Sequence, residues 1–108
     1  AIRTAYDVFG QHTFRKRDDG SYETRFNKAI FDIIVYYFAV DGVRKKATTK
    51  KAKVKAAFET LSNDAAFLRS IEQTTKSIQA TSTRFCLWGQ QLEKTLGMKL
   101  RLPKIGHQ

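Results

Sequence analysis

The stretch Arg25–Asp41, RFNKAIFDIIVYYFAVD, decides how the chain folds. Between Ile30 and Val40 its only polar side chains are Asp32 and the phenols Tyr36 and Tyr37. A bilayer crossing takes about 20 consecutive apolar residues. The run is too short for that, and Asn27, Lys28 and Asp32 would be costly in lipid. A strand competes, because IIVYYF is rich in β-branched and aromatic residues. Yet the run is long for a strand, and Phe26, Ile30, Ile33, Ile34, Tyr37 and Phe38 hold one helical stripe. A helix apolar on nearly all sides is a buried one. The stretch therefore predicts a central hydrophobic helix over about 26–40 of a small soluble domain.

Working outward, Ile2, Ala5, Tyr6 and Phe9 fall at helical spacing before Gly10, a short helix with a glycine stop. QHTFRKRDDGSYETR, residues 11–25, is polar and carries an Asp-Asp-Gly-Ser turn signal, so it reads as a loop anchored by Phe14. Asp41-Gly42 reads as a turn. Thr48 or Thr49 then caps a third helix to about Leu61, with Ala47, Val54, Phe58 and Leu61 on its apolar side. A fourth helix, capped by Asn63 or Asp64, carries Phe67, Leu68 and Ile71 and fades in QTTKS. A fifth runs from about Thr81 to Leu96, with Phe85, Trp88, Leu92 and Leu96 on one side and Gly97 as its stop. The tail MKLRLPKIGHQ alternates apolar and basic residues up to Pro103, as a docked strand would. The expected fold is all-α, a bundle of about five helices in one domain spanning residues 1–108.

The 108 residues carry 20 lysines and arginines against 10 acids, a formal net charge of +10. Such an excess attracts nucleic acid, an anionic membrane face or an acidic protein. The bland alternative is a solvated, lysine-rich face. The single cysteine, Cys86, excludes an internal disulfide and suits a reducing compartment. Ala1–Gly10 lacks the pattern of a signal peptide, so a cytoplasmic location is expected. A start at Ala1 suits a processed protein or a piece of a longer one.

The densest basic run is Arg44, Lys45, Lys46, Lys50, Lys51, Lys53 and Lys55. On a continuous helix Lys46, Lys50 and Lys53 share a stripe about a quarter turn from the apolar side, where they can follow a phosphate backbone. Arg44, Lys45, Lys46, Lys50 and Lys53 are accordingly the candidate nucleic-acid contacts. No metal site, cofactor or catalytic constellation is expected: His12 and His107 are isolated, Cys86 reads as a packed apolar residue, and no Gly-rich phosphate loop exists. Asp18, Asp19 and Glu23 read as solvated turn acids. Asn27, Asp32 and Arg84 read as structural fasteners, with Asp32 a candidate partner for a buried Arg84.

Four phrases in order, VFGQHTFRK (8–16), RFNKAIFD (25–32), FETLSNDAAFLRSIEQTT (58–75) and STRF (82–85), resemble the helical C-terminal part of the ParB-like domain of GmrSD-type restriction endonucleases and related phage-defence proteins. The resemblance covers most of Val8–Gly97. It implies a parent that does nucleotide-dependent work on foreign or modified DNA. The parent's Asp-Gly-Gln-Gln-Arg type motif is not here, since Asp41-Gly42 runs into Val43-Arg44 and Gln90-Gln91 into Leu92, so no catalytic residue carries over. The chain then reads as a helical accessory module that grips DNA through its basic helix or docks on a catalytic domain of the same or a partner protein. The alternative is a stand-alone protein-interaction module.

Overall fold

The computed structural model describes residues 1–72 and 77–103. The Arg25–Asp41 stretch forms helix α2, Lys28–Phe38, with Ile30, Ile33, Ile34, Tyr37 and Phe38 buried. Phe26 does not join that stripe: it ends a strand and is 55% exposed. The reason lies at Asn27, whose extended backbone (φ −117°, ψ 112°) marks the N-cap, so helical geometry begins one residue later. The Asn27 Oδ1 accepts from the Ile30 amide at 3.0 Å.

Around α2 the described residues form α1 (Ile2–Phe9), a 3₁₀ turn (Gly10–His12), strands β1 (Arg15–Asp18) and β2 (Ser21–Phe26), then α3 (Asp41–Thr49), α4 (Lys51–Leu61), α5 (Ala65–Ser70) and α6 (Ile78–Leu96). Six α-helices replace the expected five, and the all-α expectation is corrected by an antiparallel hairpin within residues 11–25 and Phe26. Its turn is Asp19-Gly20, both residues at positive φ (52° and 79°), the backbone that a two-residue hairpin loop needs. The strands carry too few apolar side chains to alternate, so the segment resembles a loop in sequence. Tyr22 fastens the hairpin to the body. Its ring lies between His12 (centroids 4.2 Å apart, nearly parallel) and Phe58 (6.5 Å), and its hydroxyl donates to Glu59 Oε2 at 3.1 Å. Burial, then the bond to Glu59, pushes the phenol well above its ordinary pKa.

The expected third helix is α4, starting at Lys51, and a further helix, α3, precedes it where a turn was expected. Asp41-Gly42 opens α3 instead of breaking the chain, with Asp41 in the first turn where the helix dipole favours a carboxylate. Thr48 and Thr49 do not cap the next helix. They close α3, their hydroxyls donating back to Arg44 O and Lys46 O, both at 2.8 Å. Lys50 (φ −130°, ψ 38°) is the joint between α3 and α4. The expected apolar side survives the break: Ala47, Val54, Phe58 and Leu61 are all buried.

Helix α6 packs along α4 and α5, with Trp88, Leu92 and Leu96 buried and Trp88 edge-on to Phe58 at 5.6 Å. Phe85 is half-buried. Ser77 caps the start of α6 and Gly97, left-handed at φ 66°, its end. Asp64 caps α5, accepting from the Phe67 amide. The tail Met98–Pro103 has no strand; it turns back, Leu100 N–H donating to Glu93 at 2.9 Å and Leu102 lying against Gly89. The QTTK part of the fading fourth helix (73–76) and His107 lie outside the described residues. No helix among the described residues is long and apolar enough to cross a membrane.

Candidate nucleic-acid interface

The break at Lys50 reorganises the basic run. Lys46 belongs to α3, Lys53 to α4, and Lys50 is the joint, so the single stripe expected of these three lysines is replaced by two successive helical faces. On α4, Lys51 and Lys55 sit one turn apart on one flank of the buried face, and Lys53 lies on the other. Lys46, Lys51 and Lys53 are exposed; Lys50 and Lys55 are half-buried.

Two members of the run have structural work. Arg44 Nη1 donates to the last carbonyls of α2, Phe38 O and Ala39 O, each at 2.9 Å, while Nη2 meets Asp41 Oδ1 at 2.7 Å. Arg44 thus closes the C-terminus of α2 and pins α3 to it, an arrangement that suits a cation at the negative end of a helix dipole. Lys45 reaches the other Asp41 oxygen at 3.3 Å. Hydrogen bonding and charge from Lys45, with the charge of Arg44, hold the Asp41 carboxyl below its ordinary pKa. Of the seven cations from Arg44 to Lys55, that leaves five lysines (46, 50, 51, 53 and 55) without an ion pair among the described residues.

The polar fasteners divide in the same way. Asn27 is 4% exposed and ties three parts together: its Oδ1 caps α2, its Nδ2 donates to Ile71 O at 3.0 Å, and its amide donates to Phe14 O at 2.8 Å. Arg84, 9% exposed, does not pair with Asp32. Its guanidinium donates to Ser70 O (2.7 Å) and Thr81 Oγ1 (3.2 Å), and Asp32 pairs instead with Lys28 one turn away on α2 at 3.1 Å. A carbonyl at the end of α5 receives the guanidinium without the cost of desolvating a carboxylate. Burial lowers the Arg84 pKa, and the more distant charge of Asp32 opposes that shift.

Two features escaped the sequence reading because the hairpin did. Arg15 stands directly across from Phe26 in the strand register, and Tyr6 and Phe26, each 55% exposed, flank the buried Phe14. The Asp19-Gly20 pair signals the turn that sets Asp18 across from Ser21, but a register shift between Arg15 and Arg17 is what brings Arg15 across from Phe26, and the turn alone does not reveal it. Among the described residues, no group of three or more His, Cys, Asp or Glu side chains is placed to hold a metal ion. No family model, curated protein or solved structure matches the chain.

Proposed function

We propose that this domain is a non-catalytic module that grips the phosphate backbone of DNA through α3 and α4, within a DNA-targeting defence protein of the kind its motifs resemble. One observation carries the reading: five lysines gathered in ten residues, 46–55, face no acidic partner among the described residues. Charges that serve only solubility are usually interspersed with the opposite sign. Here Glu59, half-buried, is the one acid on α4, and it is engaged by Tyr22. Arg44 belongs to the fold and Lys45 is shared with Asp41, so both drop to secondary contacts.

The experiment is duplex binding as a function of salt. Replacing Lys46, Lys50 and Lys53 with glutamine leaves the fold intact, because surface changes usually stay within about 0.5 kcal/mol each. Affinity falls alike on all duplex sequences, since phosphate contacts carry no sequence information. The slope of log affinity against log salt drops by up to about three units. Unchanged affinity and slope reduce the lysines to a solvated face. Absence of parent binding at low salt transfers the surface to an acidic protein neighbour, the interaction-module reading.

A further inference from the structure

Away from the lysines, α1, the hairpin and α2 border an open hollow of about 400 Å³. That is within the usual range of small-ligand sites, about 300–1,000 Å³. Four of its seven lining residues are aromatic: Tyr6, Phe14, Phe26 and Phe31. Phe14, 5% exposed, forms the floor. The rings of Tyr6 and Phe26 stand nearly perpendicular to it, at 79° and 73° with centroids 6.0 and 6.1 Å away. Both walls are more than half exposed, so each large ring keeps free area at the surface although it packs edge-on against Phe14. The floor itself is strained. Phe14 has φ 62°, a left-handed conformation uncommon for a bulky residue. The Asn27 amide holds its carbonyl there at 2.8 Å. Strain of this kind persists where the surroundings fix it and tends to gather at functional sites.

Among the described residues, Arg15 is the single charged residue lining the hollow and no carboxylate lines it. Because Arg15 and Phe26 are opposed in the hairpin register, their side chains share one face of the strands. Arg15 and Arg25 also have no ion pair among the described residues, whereas Lys16 and Lys28 do. Exposed aromatic rings with a cation beside them are how proteins hold single-stranded nucleic acid: bases stack on the rings while the phosphates meet basic side chains.

We propose that the hollow floored by Phe14, walled by Tyr6 and Phe26 and flanked by Arg15 takes a nucleobase of single-stranded nucleic acid, its phosphate meeting Arg15. This deepens the nucleic-acid reading above and rests on it for the polymer class, but it uses a different surface. A DNA-gripping module so equipped holds duplex on α3–α4 and an unpaired base at the hairpin.

The test compares three fluorescent probes at low salt: an oligothymidylate, an abasic strand of the same length, and a short duplex. The parent binds oligothymidylate more tightly than the abasic strand by about 5- to 150-fold, the stacking share of one base. Phe26→Ala and Tyr6→Ala each shrink that gap and leave duplex binding unchanged, and Phe26→Trp retains it. Because Tyr6 and Phe26 are both half exposed, at least one alanine variant keeps the fold. Arg15→Gln weakens both single strands equally. Equal binding of thymidylate and abasic strands, or a gap that survives both alanine variants, overturns the proposal. So does base-independent binding together with capture of a glutamate–tyrosine copolymer that Phe26→Ala abolishes, which assigns the hollow to an acidic peptide. The lysine variant is read on duplex alone, so failure of the α3–α4 surface and failure of the hollow are seen separately.

Discussion

Gly89 shows how a single residue fixes the packing of this molecule. It lies inside α6, where glycine costs about 1 kcal/mol relative to alanine. Propensity alone would make Gly89→Ala stabilising. The position is occupied from outside, however: a Cβ there would run into the Tyr37 hydroxyl and Leu102. Tyr37 cannot retreat, because it is 1% exposed and its hydroxyl donates to Phe85 O at 2.8 Å. The expected outcome of Gly89→Ala is a net loss of stability. Overpacking costs about 1–3 kcal/mol, and the lost Tyr37 bond adds to it. Chemical denaturation of the two proteins checks this, and a variant as stable as the parent would mean that α2 and α6 can move apart without penalty. Arg84 gives the complementary lesson. It shares α6 with Trp88 and Leu92, yet a helix-end carbonyl and a threonine hydroxyl were enough to bring a guanidinium into the interior.

At the scale of elements, the structure is joined by caps, and Asn27 is the most heavily used. Its side chain serves α2 and the end of α5 at once. Asn27→Ala removes an N-cap worth about 0.5–2 kcal/mol and strands the Ile71 carbonyl, which costs about 1–3 kcal/mol where burial is complete. The two losses together should reach roughly 2–4 kcal/mol. Asn27→Ser separates them, since a serine hydroxyl restores the cap but is too short for Ile71. A serine variant as stable as the parent would show that the bond to Ile71 contributes nothing. A cap at Asn63 or Asp64, the stop at Gly97, the buried stripe of α2 apart from Phe26 and the Val54–Phe58–Leu61 face were legible in the sequence, because each is a local pattern that packing reinforced. The hairpin was not. Arg15–Asp18 and Ser21–Phe26 pair through backbone and turn, and their side chains give no hydrophobic alternation to read. The α3–α4 joint was hidden for a related reason. Thr48 and Thr49 suit a helix start as well as a helix end, and only their bonds to Arg44 O and Lys46 O decide between the two. The charge of the candidate interface was therefore visible from the outset. Its shape depended on a backbone break that charge does not reveal.

For the whole molecule, the deciding quantity is the excess of 10 positive charges over the acids. Four ion pairs are present among the described residues, and in all of them at least one partner is substantially exposed. Exposed pairs typically contribute about 0–1 kcal/mol each. Against them stands repulsion among the unpaired lysines of α3 and α4, which weakens the compact state. The Debye length shrinks from about 30 Å at 0.01 M salt to about 8 Å at 0.15 M, a change that screens repulsion between neighbouring helical turns more than contacts of bonding distance. Melting temperature should therefore rise with salt, by roughly 4–8 °C for each kcal/mol of repulsion removed. Substituting glutamine for Lys46, Lys50 and Lys53 should raise the melting temperature at low salt and flatten its salt dependence. Duplex affinity should move the opposite way under both changes, falling with salt and falling with the substitutions. Opposed signs in the two measurements would mean that the same charges weaken the free domain and hold its partner. A melting temperature that falls with added salt would instead show the surface ion pairs outweighing the repulsion, and the lysine cluster would carry no stability cost for a binding role to offset.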